Sequence, residues 1–224
     1  MKIAIFGGTF DPVHTGHVQA AKAALRKYRL HKILFVPTGC PPHKISGGLT
    51  EFHHRFAMVT LACAGNPRLV PSALEAPNSR HEPHYTIDTV RRLRRQVGPR
   101  DQLFFLIGMD AFLDLPQWRQ FRRLLNLVNF IVVSRPGFDS REIQKVVPAD
   151  LLATPRKRGS ASLIRLRKTT LHILEGVKVP VASHEIRQAF RRKHKIAGAV
   201  PALVEQYILK AGLYSSANRS SGGQ

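Results

Sequence analysis

Apolar residues along this chain fall into short runs separated by stretches of helical spacing. Residues 2–6, Lys32–Pro37, 68–71, 102–107 and 129–134 have the length and content of buried strands. Between them the period changes. Residues 15–28 are alanine-rich, and 50–64 place Phe52, Phe56, Val59 and Cys63 at helical intervals. In 86–97, Ile87, Val90 and Leu93 share one face with arginines opposite, and Phe121–Leu127 supplies another helix. Residues 171–174 predict a last strand. Residues 183–192 and 200–211 predict two helices, the second with an apolar face of Leu203, Tyr207 and Ile208. Glycine and proline punctuate 38–49, and 76–84 is polar with two prolines, so both are loops. Residues 148–170 have mixed periodicity and carry no assigned element. From 215 onward serine, glycine and asparagine predict a disordered tail.

Strands alternating with helices predict an α/β fold with a doubly wound parallel sheet and a small helical C-terminal part. One domain over 1–213 and a tail over 214–224 are expected, since no long linker or repeat divides the chain. In such sheets ligands bind beyond the carboxyl ends of the strands. Gly7, Thr38, Gly108 and Arg135 each follow a predicted strand, so the conspicuous residues gather at one edge.

Charge is the abnormal feature of the composition. Lys and Arg number 35 against 14 Asp and Glu, a formal net charge of +21. Such a field favours anionic ligands. Basic residues are dense from 151 to 200, where Glu175 and Glu185 are the only acids. No nucleic-acid-binding motif accompanies them, so contact with nucleic acid is expected only as nonspecific association. Cys40 and Cys63 are the only cysteines and fall in different elements, which points away from a disulfide framework. Met1-Lys2-Ile3 runs straight into a strand without the layout of a signal peptide, and no apolar run reaches membrane-spanning length. A cytoplasmic protein is expected.

Candidate chemistry concentrates after the first strand, in Gly7-Gly8-Thr9-Phe10-Asp11-Pro12-Val13-His14-Thr15-Gly16-His17. Strand, glycine turn and helix start together present backbone N–H groups to phosphate. The run fits neither the dinucleotide fingerprint nor the P-loop. His14 and His17 stand at the mouth of the turn, where imidazoles can donate to phosphoryl oxygens. Thr15 is placed to cap the helix. No cysteine or carboxylate sits at a spacing that supports metal ligation by the two histidines, so no protein-held metal is expected. Lys44 is a cation on the proline-stiffened loop Pro41-Pro42-His43-Lys44. Thr86 and Ser183 stand at predicted helix starts and could cap them, and Arg187 lies one turn beyond Ser183. Asp110, just past a strand, suits ribose hydroxyls, and Gly108 allows close approach. Trp118, the only tryptophan, sits where a flat ring could stack.

The glycine–histidine run resembles the signature of nucleotidyltransferases with an H-x-G-H motif. Further pieces follow in order: Pro41-Pro42-His43-Lys44, Tyr85-Thr86-Ile87-Asp88-Thr89, Ile107-Gly108-Met109-Asp110, Trp118, Ser134-Arg135-Pro136-Gly137 and Ser183-His184-Glu185-Ile186-Arg187. Together, over roughly residues 1–213, they resemble the bacterial nicotinate-nucleotide adenylyltransferases. The resemblance implies catalytic roles for His14, His17, Lys44 and Arg187. It implies ATP contacts at Gly7, Gly8, Thr9, Phe10, His14, His17, Gly108, Asp110, Arg135, Ser183, Ile186 and Arg187. It implies acceptor contacts at Lys44, Thr86 and Trp118. Two places depart from the family's usual pattern. His84 replaces a small hydroxyl residue, and Val181-Ala182-Ser183-His184 replaces Ile-Ser-Ser-Thr.

The reaction expected is adenylyl transfer from ATP to nicotinate mononucleotide, giving deamido-NAD and pyrophosphate, with Mg²⁺ carried by the triphosphate. The same chemistry on nicotinamide mononucleotide or phosphopantetheine is the nearest alternative. A catalytically weakened nucleotide- or RNA-binding protein is the more distant one. A homo-oligomer is compatible with the sequence.

Overall fold

A computed structural model describes residues 1–40, 48–77, 82–134, 141–153, 162–177, 182–194 and 198–215, the side chains of Arg141 and Gln144 excepted. Lys2–Gly8 (β1) leads to Thr15–Lys27 (α1), then Lys32–Pro37 (β2), Phe52–Cys63 (α2) and Leu69–Pro71 (β3). Thr86–Gln96 (α3), Gln102–Gly108 (β4), Met109–Leu113 (α4), Phe121–Leu127 (α5) and Asn129–Val133 (β5) follow. Arg141–Val146 (α6), Leu163–Arg165 (β6), Thr170–Leu174 (β7), Ser183–Arg191 (α7) and Ala202–Lys210 (α8) complete the order.

The strands form a seven-stranded sheet in the order β3-β2-β1-β4-β5-β7-β6. All neighbours pair in parallel except β6, which runs antiparallel to β7 at the edge. Central parallel strands are covered on both faces, so both parities of each strand must be apolar. In β1, Ala4 and Phe6 enter one core while Ile3 and Ile5 enter the other. In β4, Phe104 and Leu106 share the first core, and Leu103, Phe105 and Ile107 the second. Buried residues of α1, α2, α7 and α8 cover the first face, and those of α3 to α6 cover the second. The expected doubly wound sheet is the one observed, and chain order reverses about β1 and β4, beside which the ligand cleft of such sheets opens.

Some local expectations are corrected. α8 buries Ile208 and packs Tyr207 on the core as expected, but Leu203 is 49% exposed and Val204 takes its place on that face. α4, α6 and β6 were not expected at all. Each is six residues or shorter, too short for periodicity to declare it. β6 lies within the stretch whose pattern gave no element. Among the described residues no helix is long and apolar enough to cross a membrane. Cys40 and Cys63 are both free.

Candidate active site

β1 ends in Gly7 and Gly8, and packing explains why both are glycines. A Cβ on Gly7 would lie 3.2 Å from the Phe105 ring, and one on Gly8 would lie 3.3 Å from the Phe10 ring. Positive φ falls not on them but on Phe10, at 49°. That strained residue is held by its ring, which is 2% exposed and meets Phe6 and His17 edge-on.

The turn that follows is tied down by buried charge. Asp11 is 2% exposed, and its carboxylate accepts from the Tyr214 hydroxyl (2.7 Å) and from the Thr50 N–H (3.4 Å). Arg187 donates to the Asp11 carbonyl at 2.6 Å, with its guanidinium 3.9 Å from the carboxylate. Arg55, 1% exposed, donates to the carbonyls of Thr50 (2.7 Å), Thr9 (2.8 Å) and Gly39 (3.4 Å). Burial lowers the Arg55 pKa, and the nearby Asp11 charge opposes that. The turn after β1 is therefore braced from α2, α7 and the C-terminal segment at once.

His14, not Thr15, occupies the N-cap of α1. Thr15 instead donates its hydroxyl to the Ala199 carbonyl at 3.0 Å. The His14 N–H donates to Nδ1 of His17 at 3.2 Å, and the His17 N–H approaches Nδ1 of His14 at 3.4 Å. The two rings stack with centroids 3.6 Å apart. Burial pushes the His14 pKa down from 6.5 to about 4. Burial, and then the neighbouring His14, push His17 well below its ordinary value. Both imidazoles are thus neutral near pH 7. With each Nδ1 accepting, the single proton of each ring belongs on Nε2, and each ring offers an Nε2–H donor.

Both rings line a cavity of about 830 Å³ at the carboxyl edge of the sheet. Gly7, Gly8, Thr9, Phe10, Thr86, Gly108, Asp110, Trp118 and Ser183 line it as well. Gly108 caps α4, and a Cβ there would meet nothing within 4 Å, which leaves open space for a ligand. Thr86 is the first residue of α3. Its hydroxyl is not the cap expected, because Tyr85 holds that position without a side-chain bond. The first amides of that helix still precede its ladder and are available as donors. Trp118 is half-buried and meets Phe105 edge-on, so packing does not consume its whole ring.

Ser183 is likewise the first residue of α7, whose N-cap is Ala182, and its hydroxyl donates to the Pro12 carbonyl at 3.0 Å. Ile186 is fully buried and its N–H donates to the Ala182 carbonyl, so it packs the core and does not face the cavity. Arg187 braces Asp11, and neither it nor the exposed His184 is among the described residues lining the cavity. Lys44 and Arg135 lie outside the described residues.

Sequence reading overlooked Glu75, His84, Tyr85 and Arg119 as cavity walls. Glu75 is 6% exposed and accepts from the Thr89 hydroxyl at 2.7 Å. Burial raises its pKa, while hydrogen bonds from Thr89 and Thr38 oppose the rise. It thereby joins the end of β2 to the start of α3. A lone acid in a polar loop carries no sequence signal for that role. Arg55 was missed too, although an arginine within an apolar helical stretch is such a signal.

Residues 5–189 match the cytidylyltransferase-like family. A protein of Desulfotalea psychrophila named "Probable nicotinate-nucleotide adenylyltransferase" is 36% identical over 216 residues, covering 95% of this chain and 99% of the relative. One of the same name from Pelobacter propionicus is 38% identical, covering 96% and 99%. The nicotinic acid mononucleotide adenylyltransferase of Plasmodium falciparum, solved with NaAD, shares the fold with a TM-score of 0.72 at 22% identity, over 95% of this chain and 97% of that one. Near-complete coverage at these identities places the chain in the cytidylyltransferase-like family, among the nicotinate-nucleotide adenylyltransferases.

Proposed function

We propose that this enzyme transfers the adenylyl group of ATP to nicotinate mononucleotide, releasing pyrophosphate and forming deamido-NAD. The observation that carries the reading is the stacked His14–His17 pair, with both Nδ1 atoms committed to backbone N–H groups, on the wall of a cavity large enough for two nucleotides. A phosphate oxygen of the acceptor bonds to the α-phosphorus of ATP as the bond from that phosphorus to the bridging oxygen breaks. Pyrophosphate leaves with the electron pair of the broken bond, so no covalent enzyme intermediate is required. Two anions must approach one another, and positioned donors lower the cost of the charge at the α-phosphate. Neutral Nε2–H groups on His14 and His17 are such donors. Gly7, Gly8 and Thr9 let the triphosphate lie along the backbone, and the start of α7 at Ser183 directs amides toward it. Gly108 and Asp110 take the adenosine side. Thr86 and the first amides of α3 take the pyridine carboxylate, with Trp118 as the stacking wall.

Lys44 and Arg187 are assigned to phosphate on family pattern, and Arg135 to adenosine or the phosphates. For Arg187 the role requires its guanidinium to serve the ligand while still bonded to Asp11. Mg²⁺ enters as part of the MgATP substrate. Among the described residues no group of three or more His, Cys, Asp or Glu is arranged to hold a metal. Action in the cytoplasm, with nucleic acid met only nonspecifically if at all, agrees with these substrates.

Pyrophosphate release from MgATP, measured across nicotinate mononucleotide, nicotinamide mononucleotide and phosphopantetheine, tests the reading. Turnover is expected with the first and to be much weaker with the others. Preference for either of the others would replace the acceptor and leave the reaction type standing.

A further inference from the structure

Arg119 lines the cavity and is the only lysine or arginine among the described residues that do. Its guanidinium carbon lies 4.6 Å from the centre of the Tyr85 ring. It follows Trp118 in the chain, and Tyr85 precedes Thr86, so the contact ties together the two segments that carry the residues assigned to the acceptor ring, and all four line the cavity. The neighbouring arginine Arg91 is engaged by Asp88 (3.3 Å) and Gln120 (2.9 Å), whereas no carboxylate among the described residues pairs with Arg119. Cation–π contact holds a guanidinium in place without neutralising it.

The rest of the cavity makes that charge consequential. Glu75, Asp110 and Asp114 also line it. A pyridine carboxylate is an anion where a carboxamide is neutral, so the one arginine on the described wall distinguishes the two. Backbone amides at a helix start attract a carboxylate but also hydrogen-bond a carboxamide oxygen, so they discriminate only partly.

We infer that Arg119, held over Tyr85 beside Trp118, is a specificity-determining residue that makes the acceptor site select the pyridine acid over the amide. The inference rests on the proposed acceptor and adds the group that reads its charge. Arg119 lines the cavity and is exposed, so water screens its charge and the effect is moderate.

The test compares kcat/KM for nicotinate mononucleotide and nicotinamide mononucleotide at saturating MgATP in wild type, Arg119→Gln and Arg119→Lys. In Arg119→Gln the value for the acid should fall about tenfold, the worth of one partly screened charge-assisted contact. The value for the amide should change less than about twofold, and the KM for ATP should hold. Arg119→Lys should retain most of the acid preference, since the charge persists though the planar stacking does not. An equal fall for both acceptors would overturn the inference, because it would put Arg119 on the phosphate or ribose that they share. An unchanged acid-to-amide ratio in Arg119→Gln would overturn it too. If wild type itself does not use nicotinate mononucleotide, the underlying reading fails, which the wild-type arm alone reveals.

Discussion

His14 and His17 are two imidazoles whose Nδ1 atoms face backbone N–H groups, and this commitment fixes what each can offer a ligand. His17→Ala removes one positioned donor, and turnover should fall about a hundred- to a thousandfold with the fold retained. Steady-state kinetics beside a circular dichroism spectrum checks it, and a folded variant with near-normal kcat would remove His17 from the reaction. The same burial links His14 to stability. Its pKa is 6.5 ordinarily and about 4 in the fold, so below pH 6.5 the unfolded chain takes up a proton that the native chain refuses. The contribution is whole above pH 6.5 and is lost as pH falls toward 4, by on the order of 3 kcal/mol. Denaturant unfolding at pH 7.5 and 5 should register the loss. His14→Gln should shrink the pH dependence without abolishing it, because burial also lowers the pKa values of His17, His84 and His172.

At the scale of elements, the cavity wall proposed for the acceptor depends on how closely the segment after β2 meets the one before α3. A Cβ on Gly39 would come within 1.9 Å of the Glu75 carbonyl, a distance that only movement of backbone relieves. Glu75 in turn carries the Thr89 bond that anchors α3. Gly39→Ala should therefore shift the start of α3. A rise in acceptor KM of about tenfold is expected, a misplacement effect, with a smaller rise for ATP. Equal effects on both substrates would mean that the contact serves the whole fold. Gly39 carried no expectation of its own, being one more glycine in a loop. What requires it is a carbonyl contributed from beyond β3.

For the whole molecule, the decisive feature is that Asp11 and Arg55 draw the β1 turn, the segment before α2, α7 and Tyr214 into one buried network. Tyr214→Phe removes only the hydroxyl that donates to the Asp11 carboxylate. A buried charge then loses a partner, at a cost of about 1 to 3 kcal/mol. Denaturant melts should report that loss. If the network also positions His14, kcat should drop several-fold while both KM values change little. Unchanged stability would show that the bond contributes nothing in water. The net charge of +21 belongs to this scale as well, as a field that draws in two highly anionic substrates.

Periodicity and motif order alone determined the parallel sheet, the carboxyl edge as the place where the conspicuous residues gather, and the Gly-Gly turn with His14 and His17. Those features are local, since alternation of apolar runs and turn chemistry act over a few residues. Tertiary structure alone decided the rest. It put the N-cap on His14 rather than Thr15, turned Leu203 outward and Ile186 inward, and set Arg187 against Asp11. It also brought Glu75 and Arg119 to the cavity wall. Three of these outcomes are fixed by a partner distant in sequence: Ala199 for Thr15, Asp11 for Arg187, Tyr85 for Arg119. A side chain's role at such a site depends on which distant group satisfies it, and only the packed chain specifies that group.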